Sequence, residues 1–129
     1  MKDIIFDNFQ NDVNDSLLRH RSILDIMTKL SEANARVNRA LAKSVTNCGC
    51  IEISAKKQDN FNIDNTINTS LSNQIEGCIC DNCRDVIEAE IGNNIFYLTS
   101  LCNCLDLNLY DIILKEENKI NVLGKYTLR

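Results

Sequence analysis

The chain has 129 residues, with 14 basic against 18 acidic side chains and a formal net charge of −4. That length suits one domain with a core of its own, and an acidic chain with no basic stripe argues against a nucleic-acid binder. No apolar run reaches the roughly 18 residues of a membrane span, and the absence of Pro with only four Gly favours uninterrupted helices over a turn-rich β fold.

From Asp3 to about Arg19, Ile5, Phe6, Phe9, Val13 and Leu17 fall on one helical face. Ile4-Ile5-Phe6 lies between Asp3 and Asp7 rather than behind a basic segment, so no secretory signal is read there. A cytoplasmic protein with reduced thiols is expected. Ile23, Met27, Leu30, Ala33, Val37, Ala40, Leu41 and Val45 then recur at spacings of three and four, opposite a face carrying Arg21, Asp25, Lys29, Glu32, Arg36, Arg39 and Lys43. The pattern predicts an amphipathic helix of roughly seven turns. It either continues the first helix or breaks near Asp15-Ser16, a possible N-cap. His20, the only histidine, is placed on this helical stretch as a surface residue. Arg36, Arg39 and Lys43 read as a solvated face.

Residues 51–68 read as a loop with at most a brief extended piece, because Ile51, Ile53 and Phe61 are too sparse to build a sheet. Ser70 is expected to cap a short helix through Leu71 and Ile75, ended by Gly77. The 51–79 stretch is thus an insertion between helices. A third long helix follows, with Ile87, Ile91, Asn94 or Ile95, Leu98, Leu101, Cys102 and Leu105 as its core stripe. A last helix has Asn108 as N-cap, buries Leu109, Ile112, Ile113 and Ile120, and frays near Gly124. The expected fold is all-α, an antiparallel helical bundle in a single domain over 1–129. Exposed apolar surface on long helices in so small a chain predicts a homodimer.

Cysteine spacing carries the clearest chemistry. Cys48-Gly49-Cys50 and Cys80-Asp81-Asn82-Cys83 form a C-x-C and a C-x-x-C about 29 residues apart. Each pair turns two thiolates toward one point, and two such turns close a tetrahedral four-thiolate shell around Zn²⁺. The metal would join the end of the second helix to the start of the third. Four thiolates leave no position for water, so such a site is structural. Cys78 makes Cys78-Ile79-Cys80 a second C-x-C and is an alternative ligand. Cys102 lies on the apolar stripe and packs as a small hydrophobe; Cys104 packs or is partly exposed. Cys83, near the positive end of its helix, is expected to have a lowered pKa. The spacing also resembles the zinc switch of redox-regulated heat-shock chaperones, which implies an oxidation-sensitive thiol switch as an alternative.

A second resemblance lies in the C-terminal half. Glu88-Ala89-Glu90-Ile91-Gly92-Asn93-Asn94-Ile95-Phe96-Tyr97-Leu98, continuing through Leu107-Asn108-Leu109 and Ile112-Ile113-Leu114 to Lys115–Lys119, resembles the core helix of MazG-like nucleoside triphosphate pyrophosphohydrolases. The resemblance implies an all-α, usually dimeric fold in which paired carboxylates hold Mg²⁺ against a nucleotide triphosphate. Carried over, Glu90 matches the glutamate of the family's E-x-x-D signature, and Asn93 stands where its aspartate belongs. Glu32 is the nearest counterpart of an earlier E-x-x-E pair, but Ala35 and Arg36 follow it at the positions where a second carboxylate is needed. Lys115 or Lys119 would meet phosphate. The implied function is a MazG-like helical protein with structural zinc, non-catalytic or weakly active; the alternatives are an active Mg²⁺-dependent pyrophosphohydrolase and a zinc thiol switch or interaction module.

Overall fold

The structure, a computed structural model, describes residues 4–58 and 72–124. It is mainly helical: α1 (Ile4–Ser16), α2 (Ile23–Lys43), a π turn (Ser44–Cys48), β1 (Ile51–Ile53), β2 (Ile75–Gly77), α3 (Asp81–Cys104) and α4 (Leu109–Leu123). None of the described helices is long and apolar enough to cross a membrane. The brief extended piece expected after Cys50 is the strand Ile51–Ile53, but two features of the 51–79 stretch differ from expectation: that strand pairs into a small sheet, and Ile75 and Gly77 belong to its antiparallel partner strand rather than to a short helix. Strands of three residues are too short for alternation to show in sequence. The expected cap Ser70 and Leu71 lie outside the described residues.

The chain divides into two compact units, one of residues up to Ala35 together with those from Ile91, the other Arg36–Glu90; α2 and α3 contribute residues to both. In the first unit, Val13 and Leu17 at the end of α1, Ile26 and Ala33 of α2, Thr99, Ser100 and Cys102 of α3, and Leu109 are buried. Thr99 and Ser100 tolerate burial because their hydroxyls donate to the Ile95 and Phe96 carbonyls at 2.7 and 2.9 Å. Residues rise along α2 as they fall along α3: Ile26 shares a small cavity with Ser100, and Lys29 lies over the Tyr97 ring at 5.6 Å. The two helices are therefore antiparallel here.

α2 hides a strict heptad, Ile26, Leu30, Ala33, Val37, Ala40 and Ser44, at alternating spacings of four and three. Met27 and Leu41, expected inside, are exposed. α3 shields Cys83, Ile87, Glu90, Asn94, Tyr97 and Leu101 at the same alternation, whereas Ile91, Ile95, Leu98 and Leu105 of its expected stripe are exposed. The inward face shares Ile87, Asn94 and Leu101 with the expected stripe but is turned toward Glu90 and Tyr97, by roughly half of one residue's 100° of helix. Hydrophobic periodicity cannot reveal a face whose members are partly polar.

α1 and α2 are separate helices. The break at Ser16 is held by Arg21, which donates to the Leu17 carbonyl and, at 3.4 Å, to the Asn14 carbonyl. A basic side chain on the last carbonyls of a helix satisfies groups that have no partner in the helix. His20 sits in this turn with φ of 56°, not on a helix, and its ring lies 4.0 Å from the Asp25 carboxylate.

A polar latch joins α1 to the start of α4. Gln10 Nε2 donates to the Leu107 carbonyl at 2.6 Å, Gln10 Oε1 accepts from the Leu109 N–H at 2.9 Å, and Asn103 Nδ2 donates to the Gln10 carbonyl at 3.0 Å. Asn108 caps α4 as expected, its Oδ1 accepting from Asp111 N–H at 2.9 Å while its Nδ2 donates to Asp7 at 3.2 Å. Phe6 packs on Tyr110 beside it, ring centroids 6.3 Å apart. Gln10 serves the carbonyl before the cap and an orphan N–H after it. Gln10→Ala removes both bonds and is expected to cost about 1–3 kcal/mol, read as a lowered urea midpoint with an unchanged denaturant slope.

Candidate metal centre

The first cysteine pair is shaped by the way α2 ends. The helix widens into the π turn, where buried Ser44 donates its hydroxyl to the Ala40 carbonyl at 3.2 Å. Gly49 follows in the left-handed region, φ 73°, and its N–H returns to the Ser44 carbonyl at 2.9 Å. A Cβ at Gly49 would meet nothing, so conformation rather than space favours glycine there. Cys48 and Cys50 flank this reversal, and Cys50 Sγ lies 3.8 Å from the same Ser44 carbonyl.

Next, Ile51 is buried and anchors β1, which pairs with β2 in the register Ile51↔Gly77, Glu52↔Glu76 and Ile53↔Ile75. The hairpin delivers the chain back beside Cys50. Gly77 has φ of 89°, and a Cβ there would stand 2.6 Å from the Cys50 carbonyl oxygen. Here both conformation and space require glycine.

The second pair is built into the start of α3. Cys80 occupies the N-cap position: its carbonyl accepts from Arg84 N–H at 2.9 Å, and its sulfur accepts from Cys83 N–H at 3.4 Å. A C-x-x-C opening a helix thus uses one ligand to cap the turn that carries the other. Cys83 points inward and is buried.

These two turns meet. The Sγ atoms of Cys48, Cys50, Cys80 and Cys83 all lie within 4.8 Å of one another, with Cys48 and Cys80 3.8 Å apart. Among the described residues they form the one group of three or more Cys, His, Asp or Glu ligand atoms that converges. Four soft donors at this separation can hold a metal ion. Cys78, the alternative ligand, is exposed and outside the group. Cys102 is buried, which pushes its thiol up, and Cys104 is exposed.

Proton sharing within the group is uneven. Cys80 is lowered to about 7, because the Cys83 backbone N–H and then the Cys83 thiol donate to it. Cys48 is pushed up to about 12 by its bonds to Cys80 and Cys83. Cys83, expected to be the lowered thiol, is raised: Ser44 pulls it down, and the Cys80 sulfur together with burial outweighs that pull. The capping position, not the first turn proper, carries the lowered thiol. Beside the sulfurs, Lys43, Asn47, Asn82 and Val86 line an open cavity of about 200 Å³ that reaches Cys48 and Cys83.

The acidic candidates are differently placed. Glu90 is inward on α3, its side chain 18% exposed, and both its oxygens accept from the Arg36 guanidinium, at 2.9 Å from Nε and 3.2 Å from Nη2. Hydrogen bonding to Arg36 holds the Glu90 carboxyl below its ordinary value, against a smaller opposing effect of desolvation. Glu32 is exposed and pairs with Lys29 at 3.2 Å. Asn93 is exposed, as is Lys115; Lys119 is 3.8 Å from Glu116 on the same helix. Sequence patterning did not single out Ser44, and it placed Arg36 on a solvated face rather than against Glu90. Arg36 reads as one more cation on a charged face, and only its contact across to α3 separates it from Arg39.

No family model, curated protein or solved structure matches this chain.

Gly77→Ala forces a methyl group into the Cys50 carbonyl and is expected to weaken metal binding by about 1–3 kcal/mol, measured by competition with a chromophoric chelator. For Glu90 the sign is fixed by its lowered carboxyl: the ion pair contributes above the ordinary carboxylate range and is lost as pH falls through the lowered value. Carbon-detected NMR titration should place the Glu90 midpoint below the ordinary glutamate range in the native protein. Arg36→Ala should move that midpoint upward.

Proposed function

We propose that this chain is a structural zinc protein, in which Cys48, Cys50, Cys80 and Cys83 as thiolates hold one Zn²⁺ that ties the end of α2 to the start of α3. The convergence of the four sulfurs carries the reading. With zinc–sulfur bonds of about 2.3 Å, a regular tetrahedron has sulfur–sulfur edges of about 3.8 Å, the separation of Cys48 and Cys80. The remaining separations, up to 4.8 Å, contract by small rotations of side chains already aimed inward. A closed four-sulfur shell offers no open position for substrate or water, so the metal's role is to stabilise the fold. Apparent binding energies of structural zinc, about 10–16 kcal/mol in small peptides, are large against the net stability of a domain.

On this reading the chain is a MazG-like helical protein that has become non-catalytic, serving as a zinc-stabilised interaction module. The pairing of Glu90 with Arg36 favours non-catalysis over an active Mg²⁺-dependent pyrophosphohydrolase. A carboxylate neutralised by guanidinium is a poor Mg²⁺ ligand, and Asn93 brings no charge where the ion prefers carboxylates.

Protein purified without added metal should contain one zinc per chain by elemental analysis. Cys83→Ser should lose it, and chelation should lower the melting temperature by at least about 10 °C. Cobalt substitution should give the visible spectrum of a tetrahedral thiolate site. Absence of metal from freshly purified protein, with no gain on zinc addition, sinks the proposal. A panel of nucleoside triphosphates with Mg²⁺ should release no pyrophosphate; release abolished by Glu90→Ala would restore the enzyme.

A further inference from the structure

The cysteine cluster borders a cavity. This space of about 200 Å³ is lined wholly by residues of the unit Arg36–Glu90, and both Cys48 and Cys83 open onto it. Of the four clustered cysteines only Cys48 is exposed; Cys50 and Cys80 are half-buried and Cys83 is buried. The helix cap ties Cys80 to Cys83, and Cys50 leads into the strand anchored by Ile51. Cys48 ends the π turn just before the reversal at Gly49, so its sulfur can swing outward at the least cost to the fold. The rest of the lining says what would enter. Ala40 and Val86 supply apolar walls, Asn47 and Asn82 bring amides that can donate, and Lys43 is the one cation, with no carboxylate beside it. At roughly 30 Å³ per water, the space equals about six or seven waters and suits a ligand of about that many non-hydrogen atoms. An apolar lining with a few polar groups at its rim fits an orienting site for a small molecule. Lys43 and the amides favour an anionic head, and a soft sulfur is the donor that competes with thiolate for zinc.

We propose that this cavity admits a small thiol bearing a carboxylate, and that the thiol exchanges with Cys48 on the metal. The inference rests on the zinc reading above and names the ligand that reopens that site. The carboxylate of the thiol meets Lys43 and the Asn47 and Asn82 amides, which aims its sulfur at the corner held by Cys48. The incoming sulfur takes the place of the Cys48 sulfur in the shell. One zinc–sulfur bond forms, one breaks, and the proton of the thiol passes to Cys48. The metal stays divalent and no electron moves. Cys50, Cys80 and Cys83 keep their places, and the exchanged corner becomes a route by which zinc leaves to an acceptor that a closed shell of four protein thiolates would exclude.

The probe is 3-mercaptopropionate, added to the zinc-loaded full chain while zinc transfer to a chromophoric chelator is followed. The rate should rise with the thiol and level off as the cavity fills, at least about tenfold above the thiol-free rate. Propionate, which has the carboxylate without the sulfur, should compete with it. Lys43→Gln should lower the 3-mercaptopropionate rate by about threefold to fivefold more than the rate with uncharged 2-mercaptoethanol. Val86→Phe, which fills the cavity from an exposed position, should abolish the levelling-off. Cobalt-loaded Cys48→Ala gives a second readout: 3-mercaptopropionate should restore the charge-transfer band of a four-thiolate site, and less of it when Lys43→Gln is added. Transfer that rises linearly with thiol, is matched by 2-mercaptoethanol and ignores both Lys43→Gln and Val86→Phe overturns the proposal while leaving the bound zinc intact. So does a Cys48→Ala cobalt spectrum that the thiol does not alter. A chain that takes up no zinc at all sinks the zinc reading, and this inference with it.

Discussion

Two sulfur-bearing turns, far apart in sequence, close on one point, and the local structure of residues 44–58 and 72–83 makes them do so. The α2 helix loosens into a π turn before Cys48, Gly49 reverses the chain, and the hairpin of β1 and β2 brings it back to Cys80. Each device is small. Together they place four thiols within 4.8 Å, a concentration of ionisable sulfur that mutual repulsion of thiolates would disperse unless a cation compensated it.

The same economy appears where α3 starts. Cys80 caps the helix with its own sulfur, so the group that would bind metal also satisfies the N–H of Cys83. An N–H···S contact draws charge from the thiolate and orients it. Further along the same helix, Glu90 faces inward and meets Arg36 in a two-pronged contact. A buried or half-buried carboxylate needs such a partner, and guanidinium satisfies both oxygens at once. The helix pair is therefore joined by the Arg36–Glu90 ion pair, and the four sulfurs meet at its end.

What could be read from the sequence follows the range of each signal. C-x-C and C-x-x-C spacing announces turns that bear ligands, and the four cysteines do converge. The four helices also stand out, because caps such as Asn108 and long apolar repeats are local signals. The inward face of α3 does not stand out as a whole, since Ile87, Asn94 and Leu101 belong to it as expected but so does Glu90, while Ile91, Ile95 and Leu98 lie outside it. Nor does the hairpin: three residues of strand carry too little alternation, and its register depends on Gly77 passing over the Cys50 carbonyl. Met27 and Ile26 are adjacent apolar residues, and the heptad phase of α2 decides which is covered.

The hairpin has one more consequence. Its ladder continues beyond the paired strands, with Ser54 N–H donating to the Gln74 carbonyl at 2.8 Å and Gln74 Nε2 to the Lys56 carbonyl at 2.6 Å. Ser54 and Lys56 are thereby held beside Gln74 beyond the paired strands. Doubling the length of a connecting segment costs only about 0.6 kcal/mol of closure entropy. Lengthening the sequence between Gln58 and Ser72 is therefore expected to cost little, because the chain on both sides of it is already paired.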